Sequence, residues 1–564
     1  MSRLDIPIRL PDCQGLHPLF LDRFSGWCLG MGQPTDLATM LRGLSQLAED
    51  NPVCRTVIPG MALWGFQAHP LAPDMAVWCA RTLQPNFGLS PAVPRMLATL
   101  LRAAPLGESD GEAMDTWYAL ARQEDHSLTL RFLTITLRDQ TKGLSWLGHC
   151  WNDLIFLDRE EIGRAALNIF PWDEASRPLR DRLAAEWAFH RRPPEEALET
   201  VLALNPAEWG LWRTYAAAEL LLRMGKKGEA KGALALLWKF LPWHVNLTLK
   251  VHDLFSPVVP AGTDATADAA VLVYSWNKAD LLADTLQSLE ASELGEARIF
   301  ALDNGSTDHT PAVLASARDR FGHDRFHVET LPVNVGAPAA RNWLLSLEAV
   351  RSRNWAAFLD DDVVLPENWL LHLLGAAGDR DDLGAVGCRI TAATSPFGLQ
   401  SADYNLIPKP PVPTKPGQLP NRVLIYDNCA GAPDSGLFTY TRPCLSVSGC
   451  CHMVALRAVE KAGTFDLRYT PSQFDDLDRD LRSALSGMPA LYTGTLAIRH
   501  VQHSSLAKAQ TTRQIGHVMG NKYKLDTKYD DEQLAALVSA NRTMLRSDYE
   551  ERHRFLVDRL AARG

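Results

Sequence analysis

Three adjacent carboxylates, Asp360-Asp361-Asp362, close the apolar run Trp355-Ala356-Ala357-Phe358-Leu359, and Val363-Val364-Leu365 follows them. Adjacent carboxylates repel one another, so the interior of a helix or strand gains nothing from such a cluster. At the exit of a buried strand they make sense around a hard cation, because oxygen ligands suit Mg²⁺ or Mn²⁺. An ion held by one or two carboxylates keeps open positions, which a phosphorylated substrate commonly fills. A solvated acidic turn explains the triplet alone equally well, since aspartate is a frequent turn residue. What the chain brings beside the triplet has to decide.

Delivering such a cluster to a ligand requires a covered strand that ends at it. From Ala269 onward, short apolar strands alternate with amphipathic helices. Strands are predicted at Ala269–Tyr274, Arg298–Leu302, Phe326–Leu331, Trp355–Leu359 and Gly384–Ile390. Between them Leu282, Leu286 and Leu289 line one helix face, and Trp343, Leu344, Leu347 and Val350 another. This alternation predicts βαβ units and a mostly parallel, Rossmann-like sheet with covered faces. Ligands bind such sheets beyond the carboxyl ends of the strands. Four successive ends carry polar groups: Ser275-Trp276-Asn277-Lys278, then Asp303-Asn304-Gly305-Ser306-Thr307-Asp308, then Asn334 through Asn342, then the triplet. One such end is weak evidence. Four on one sheet are much stronger.

The rest of the chain frames this α/β region. Residues 1–255 read as an all-α helical-repeat or bundle domain, with apolar residues at helical spacing such as Leu179, Leu183 and Trp187. Ala197-Leu198, Pro206 and Leu211 recur in order and spacing as Ala233-Leu234, Pro242 and Leu247. Together with Trp212, Tyr215, Ala216, Leu220, Gly225 and Ala230 they give 160–255 a loose resemblance to tetratricopeptide-type hairpins, which repeat at about 34 residues. An irregular bundle fits as well. Residues 256–268 form a proline- and glycine-containing linker, 269–525 the α/β domain, and 526–564 a helical tail whose Leu534, Leu537 and Val538 are packing residues. Within the α/β domain, Thr394 to Pro443 is rich in proline, the composition of a binding loop or lid.

Composition narrows the class. Hydrophobic residues make up 46% and charged residues 22% of the 564 residues, ordinary values for a globular protein. A net charge of −9 argues against a nonspecific polyanion binder, so no nucleic-acid partner is expected. The 10 cysteines are scattered without zinc-type spacing, which predicts reduced thiols and a cytoplasmic protein. No basic-then-apolar leader opens the sequence, and no run reaches the roughly 20 apolar residues of a membrane span. Peripheral membrane contact stays open.

The ordered strand ends resemble those of family 2 glycosyltransferases of the GT-A fold, from Val271 to about His503. The family's Ser/Thr-x-Asn-Arg turn is Ser275-Trp276-Asn277-Lys278, with lysine for arginine. Its D-N-x-S-x-D-x-T turn is Asp303 through Thr310, its N-x-G-x-x-x-A-R-N segment Asn334 through Asn342, and its D-x-D signature the triplet. Phe474-Asp475-Asp476-Leu477-Asp478-Arg479-Asp480-Leu481-Arg482 resembles the E-D-x-D-x-x-x-R segment, with Asp475 in place of glutamate. Ser448-Gly449-Cys450-Cys451 and Gly463-Thr464-Phe465-Asp466 resemble the approach to it.

The resemblance implies roles for these positions. Ser275, Asn277, Asp303, Arg341 and Asp360 would bind the donor, with Asp303 accepting hydrogen bonds from the base or ribose. Arg341 would lie near the diphosphate; a helix-surface ion pair is its plain alternative. Asp362 and His500 would hold Mn²⁺ or Mg²⁺, while Asp361 would support the turn or line the sugar pocket. Asp476, helped by Asp475, would be the general base toward the acceptor hydroxyl. Asp478, Asp480 and Arg482 also read as a salt-bridged helix start. His503, Ser504, Asn521 and Lys522 are weaker candidates for a closing loop.

The implied activity is inverting, metal-dependent transfer from a nucleotide-sugar, a UDP-sugar by expectation, to a glycan, lipid-linked or protein acceptor. A helical interaction protein carrying an inactive glycosyltransferase-like domain is the alternative. A nucleotidyltransferase would need a glycine-rich triphosphate loop after the first strand, and Ser275-Trp276-Asn277-Lys278 is not one.

Overall fold

The computed structural model of the chain describes residues 4–11, 23–24, 26–123, 125–157, 160–407, 419–426, 429, 431–501 and 512–561. His503, Ser504 and, within the proline-rich stretch, residues 408–418 lie outside the described residues. The chain forms two compact units. One holds Met1–Phe255 with Ala432–Leu437 and His553–Gly564, and the other Ser256–Gly431 with Phe438–Arg552.

The first unit is built of α-helices, from Pro34–Leu47 to Val245–Phe255. The two recurring sequence segments fold as successive helix pairs, Pro194–Leu202 with Pro206–Arg223 and Lys227–Phe240 with Val245–Phe255. Helix Pro206–Arg223 breaks its regular backbone at Trp209, where φ is −124°. Buried Gln67 mends the break: its Nε2 donates to Glu208 O, and its Oε1 accepts from Leu211 N and Trp212 N. A side chain inserted into the backbone ladder is a usual cause of such kinks. The same helix contacts Ala432–Leu437: Tyr215 Oη donates to Ser435 O, and Lys250 Nζ donates to both Glu219 and Gly436 O. Gly436 has φ +79°, and a Cβ there would fall 2.3 Å from the Glu219 carboxyl carbon, so only glycine passes.

The second unit is α/β. Its strands are β1 (Ala269–Ser275), β2 (Arg298–Asp303), β3 (Phe326–Thr330), β4 (Trp355–Leu359), β5 (Val363–Val364), β6 (Ala385–Ala392), β7 (Leu399–Ser401), β8 (Asn405–Leu406), β9 (Ile425–Tyr426), β10 (Thr441–Cys444), β11 (Cys451–Ala455) and β12 (Ala490–His500). The main sheet runs β10-β12-β6-β11-β4-β1-β2-β3, with β5 on β12 and β7 on β6. The half from β4 to β3 is parallel, as the sequence predicts. Beyond it β11 lies antiparallel to both β4 and β6, and β12 parallel to β6, so the sheet is mixed.

Alternate residues of β1 enter opposite cores, Ala269, Val271 and Val273 on one face and Ala270 and Leu272 on the other. Helix Ala279–Glu290 covers the first face through Leu282, Leu286 and Leu289, and helix Ala337–Ser346 the second through Ala340, Leu344 and Leu345. Trp343 departs from the expected apolar face. It is exposed, and its Nε1 donates to Glu329. Among the described residues no helix is long and apolar enough to cross a membrane.

Helix Asp531–Ala561 contributes Leu534 and Leu537 to a core with Tyr469, Leu477, Leu481 and Tyr529. That core carries helix Asp475–Leu485, whose Asp478 is fully buried. Asp478 accepts from Tyr469 Oη, Tyr529 Oη, Arg482 Nε and Lys528 Nζ. Replacing Asp478 by alanine strands those donors, and removing one partner of a buried charge network costs about 3–5 kcal/mol. A chemical denaturation series of Asp478→Ala against the wild type should show a loss of that size, and an unchanged midpoint contradicts the assignment.

Candidate functional site

The polar strand ends meet at the carboxyl edge of the parallel half. Ser275, buried, ends β1 in register with Asp303 at the end of β2. The loops after them are stitched together: Asn277 N donates to Ser306 Oγ, and Thr307 N donates to Asn277 Oδ1. Asn277 takes φ +54° to do so. Asp303 Oδ1 accepts from Ser306 N at 2.9 Å, while Asp308 accepts from Ala279 N and Thr310 N at the starts of the next two helices. Asn304 and Asn334 link this turn to the third strand end, their side chains 3.1 Å apart.

The triplet leaves β4 with Asp360 N donating to Cys450 O, which sets Cys450 beside it. β5 then pairs with the end of β12, Val363 opposite His500, and Thr285 exchanges hydrogen bonds with both backbone groups of Val363. This pairing brings Asp362 Oδ1 to 2.9 Å from His500 Nε2, with Asp360 Oδ2 at 4.0 Å. Lys278 Nζ reaches Asp361 at 2.9 Å and Asp362 at 3.2 Å. Burial pushes the Asp360 and Asp361 carboxyls upward, against Arg341 at the first and Lys278 at the second. Burial acts on Asp362 too, but His500 and Lys278 outweigh it and hold this carboxyl below its ordinary value. Burial would lower His500; Asp362 and Asp360 raise it instead.

The orientation of His500 is set from outside the sequence motifs. Gln400 Nε2 donates to His500 O, so its Oε1 is the atom that faces His500 Nδ1, at 2.7 Å. An oxygen there fixes a proton on Nδ1, so Nε2 is the nitrogen that faces the carboxylates: protonated it pairs with Asp362, and without its proton it offers a lone pair to a cation. Two carboxylates and an unprotonated imidazole nitrogen are a fitting donor set for a divalent cation. Asp360, Cys450 and His500 also present ligand atoms within 4.8 Å of one another.

Arg341 is not the surface ion pair its helical position allows. It is buried, pairs with Asp475 at 2.7 Å and approaches Asp360 at 3.8 Å. Tyr274 and Phe465 stand 5.4 and 5.2 Å from its guanidinium carbon. Burial works against the Arg341 charge, but Tyr274, Asp475 and Asp360 keep it firmly protonated. Helix Asp475–Leu485 begins after two residues at positive φ, Gln473 at 84° and Phe474 at 69°. Such strain marks a segment held by its surroundings. It turns Asp475 inward and leaves Asp476 half-buried, accepting from Gly449 N and Leu477 N. Asp480 is not a surface group either; it is buried against His452, Arg479 and Ser446. Asn521 holds the preceding loop through Tyr469 O and Ser472 O, and Lys522 pairs with Asp526.

The structure thus brings Ser275, Asp303, Arg341, Asp360, Asp362, Asp475, Asp476 and His500 to one edge, with Asn277 tying the loops there. Lys278, Gln400 and Cys450 belong to the same place and were not singled out as site residues from the sequence. Lys278 carries a signal as the departure from arginine in its motif, and Cys450 as a member of the Ser448-Gly449-Cys450-Cys451 segment; Gln400 carries none.

Residues 270–430 match the family model described as Glycosyl transferase family 2. The Succinoglycan biosynthesis protein ExoO of Rhizobium meliloti (strain 1021) is 33% identical over 109 residues, 19% of this chain and 29% of that protein. The chain therefore spans under a third of the length of this curated relative. Among solved structures, GalNAc-T7 with UDP, GalNAc and Mn²⁺ aligns with a TM-score of 0.33 and 14% identity over 42% of this chain and 43% of the other. The mannosyltransferase PcManGT from Pyrobaculum calidifontis, with GDP-Man and Mn²⁺, aligns at 0.33 and 15% over 62% of this chain and 88% of its own. The segment 270–430 is a glycosyltransferase family 2 domain.

Two outcomes test this geometry. Burial pushes the Asp475 carboxyl up to about 6; Arg341 opposes that rise and Asp476 reinforces it. The folded chain therefore holds this proton more tightly than the unfolded chain, where the carboxyl keeps 3.8. Its stabilising contribution is full below about pH 4 and is lost as pH rises through about 6. Thermal midpoints across this window should fall less steeply in Asp475→Asn than in the wild type; parallel curves contradict the assignment. Separately, a Cβ at Gly449 would lie 2.6 Å from Asp476 Oδ2 and 3.0 Å from Arg341 Nη2. Gly449→Ala should cost about 1–3 kcal/mol by overpacking, read by the same melts.

Proposed function

We propose that residues 269–525 form an inverting, metal-dependent glycosyltransferase domain, active in the cytoplasm, that moves a sugar from a UDP-sugar to an acceptor hydroxyl. The carrying observation is one edge that joins Asp303, the Asp360–Asp362 triplet and His500 to a half-buried carboxylate, Asp476, beside a buried arginine. An inactive interaction module has no need for such a convergence of costly buried charges. The family match over 270–430 supports the same reading.

In this reading Asp303, fixed by Ser306 N through one oxygen, offers the other to the donor nucleoside. Ser275 and Asn277 shape the pocket, and Asp360 faces the ribose or the diphosphate. Asp362 and His500 would hold Mn²⁺ or Mg²⁺. A divalent ion supplies charge neutralisation for the departing diphosphate. Lys278, already on Asp361 and Asp362, adds a fixed positive charge to the same end. Asp476 takes the proton of the acceptor hydroxyl as its oxygen bonds to the anomeric carbon, and the bond to the nucleoside diphosphate breaks with the electron pair leaving on phosphate oxygen. A single displacement of this kind inverts the anomeric centre. Arg341 keeps Asp475 engaged and so separates the roles of the two neighbouring carboxylates. The acceptor is a glycan, a lipid-linked glycan or a protein, and the helical unit is placed here as the part that binds it.

A screen of nucleotide-sugars by thermal shift, with and without Mn²⁺, identifies the donor, since a ligand of the folded state raises its melting point. With that donor, Asp476→Asn should lower turnover about 10²–10⁴-fold while keeping the donor-induced shift. Asp362→Ala should lose the Mn²⁺-dependent part of the shift. Absence of donor turnover in the wild type, or full turnover in Asp362→Ala, overturns the reading.

A further inference from the structure

We propose that this edge also takes a thiophilic cation of the Zn²⁺ class, through the Asp360 carboxylate, the Cys450 thiolate and His500 Nε2. The inference rests on the glycosyltransferase reading only for its consequence, namely that such an ion competes for the residues that would serve Mn²⁺. Three unlike ligand atoms lie within 4.8 Å of one another, on the ends of three different strands. Asp360 and Cys450 are fixed side by side by the backbone bond from Asp360 N to Cys450 O, 3.0 Å. His500 arrives from β12 with its ring set by Gln400, so its Nε2 faces the same space and gives up any proton there when an ion binds.

The donor set is what selects the ion. Carboxylates with one imidazole suit hard or borderline ions, whereas a thiolate adds strong preference for Zn²⁺ and its soft analogue Cd²⁺. Three protein ligands of oxygen, sulfur and nitrogen, with a fourth position open to water, is the coordination a non-structural zinc site uses. Binding converts the Cys450 S–H to a metal–sulfur bond and releases its proton to solvent, with no change of oxidation state. Asp360 and Cys450 are both half-buried, so an ion can enter from water. The described cysteines other than Cys450 are buried and none forms a disulfide. Engaging Asp360 and His500 in this way withdraws His500 from Asp362. Zn²⁺ is then expected to antagonise Mn²⁺ by taking a shared ligand, without needing the same full set.

The test is spectroscopic and uses the whole chain. Titration with Cd²⁺ should produce an ultraviolet sulfur-to-metal charge-transfer band that saturates at one equivalent. Cys450→Ser should lose this band while keeping its Mn²⁺ affinity within about twofold, since oxygen replaces sulfur only at a ligand that Mn²⁺ does not need. A band of equal size in Cys450→Ser, or none in the wild type, overturns the proposal. Alkylation mapping of the wild type guards against a misfolded variant: Cd²⁺ should protect Cys450 from iodoacetamide, and equal labelling with and without Cd²⁺ overturns it. Donor turnover with Mn²⁺ is a separate measurement, so failure of the transferase reading leaves the band intact and failure of the thiophilic site leaves turnover intact.

Discussion

Arg341 places a full positive charge where only 5% of its surface meets solvent, and Asp475 receives it at 2.7 Å. Neither charge is tolerable there alone, because an unpaired buried ion costs several kcal/mol. The pair therefore acts as a constraint on three elements at once. Arg341 belongs to helix Ala337–Ser346, Asp475 opens helix Asp475–Leu485, and the exit of β4 sits 3.8 Å away through Asp360. The aromatic faces of Tyr274 and Phe465 fill the remaining directions around the guanidinium. The two strained residues before Asp475 follow from this requirement. The chain must turn abruptly to put one carboxylate inside and its neighbour outside, and each such backbone costs of order 1–3 kcal/mol.

One motif of three identical residues becomes three different groups because each meets a different neighbour. Asp361 is buried against Lys278, Asp360 lies between Arg341 and His500, and Asp362 touches both His500 and Lys278. Of the three, burial dominates the first two, and only at Asp362 do the positive partners win. That difference comes from the short pairing of β5 with β12, which carries the third aspartate to the histidine. The like charges that make the triplet improbable in an ordinary turn are thus neutralised by a lysine from the first strand end and an imidazole from the last.

Much of this edge is legible in the sequence, and the rest fails for identifiable reasons. The β1 to β4 strand ends follow from short apolar runs broken by polar turns, a local signal that survives without tertiary information. The antiparallel insertion of β11 between β4 and β6 is a non-local pairing, and local periodicity does not encode it. Gln400 acts on a residue a hundred positions away, and nothing around Leu399–Ser401 distinguishes it. Cys450 is legible as part of the Ser448-Gly449-Cys450-Cys451 segment, but its place beside Asp360 is set by a non-local backbone bond. Arg341, Asp478 and Asp480 look like surface helix charges by spacing. Their burial arises from distant partners: Tyr274 and Phe465 around Arg341, Tyr469 and Tyr529 at Asp478, and His452 and Ser446 at Asp480.

The proposal of Asp476 rather than Asp475 as base rests on what locks the rotation of helix Asp475–Leu485. With 3.6 residues per turn, fixing several side chains on such a helix leaves no freedom for the others. Asp475 is committed to Arg341, Asp478 to two tyrosines and Lys528, and Asp480 to His452, Arg479 and Ser446. Each of these carboxylates is buried and would abandon stabilising partners on accepting a proton from a substrate. Asp476 is different: among the described residues it accepts from the backbone N–H groups of Gly449 and Leu477, and it stays half-buried. Glycine at 449 is what makes that seat wide enough, since any Cβ would press on both Asp476 and Arg341. In the proposed reaction Asp475 stays committed to Arg341 inside the fold, and proton transfer is assigned to Asp476, the neighbour that the locked helix leaves half-buried.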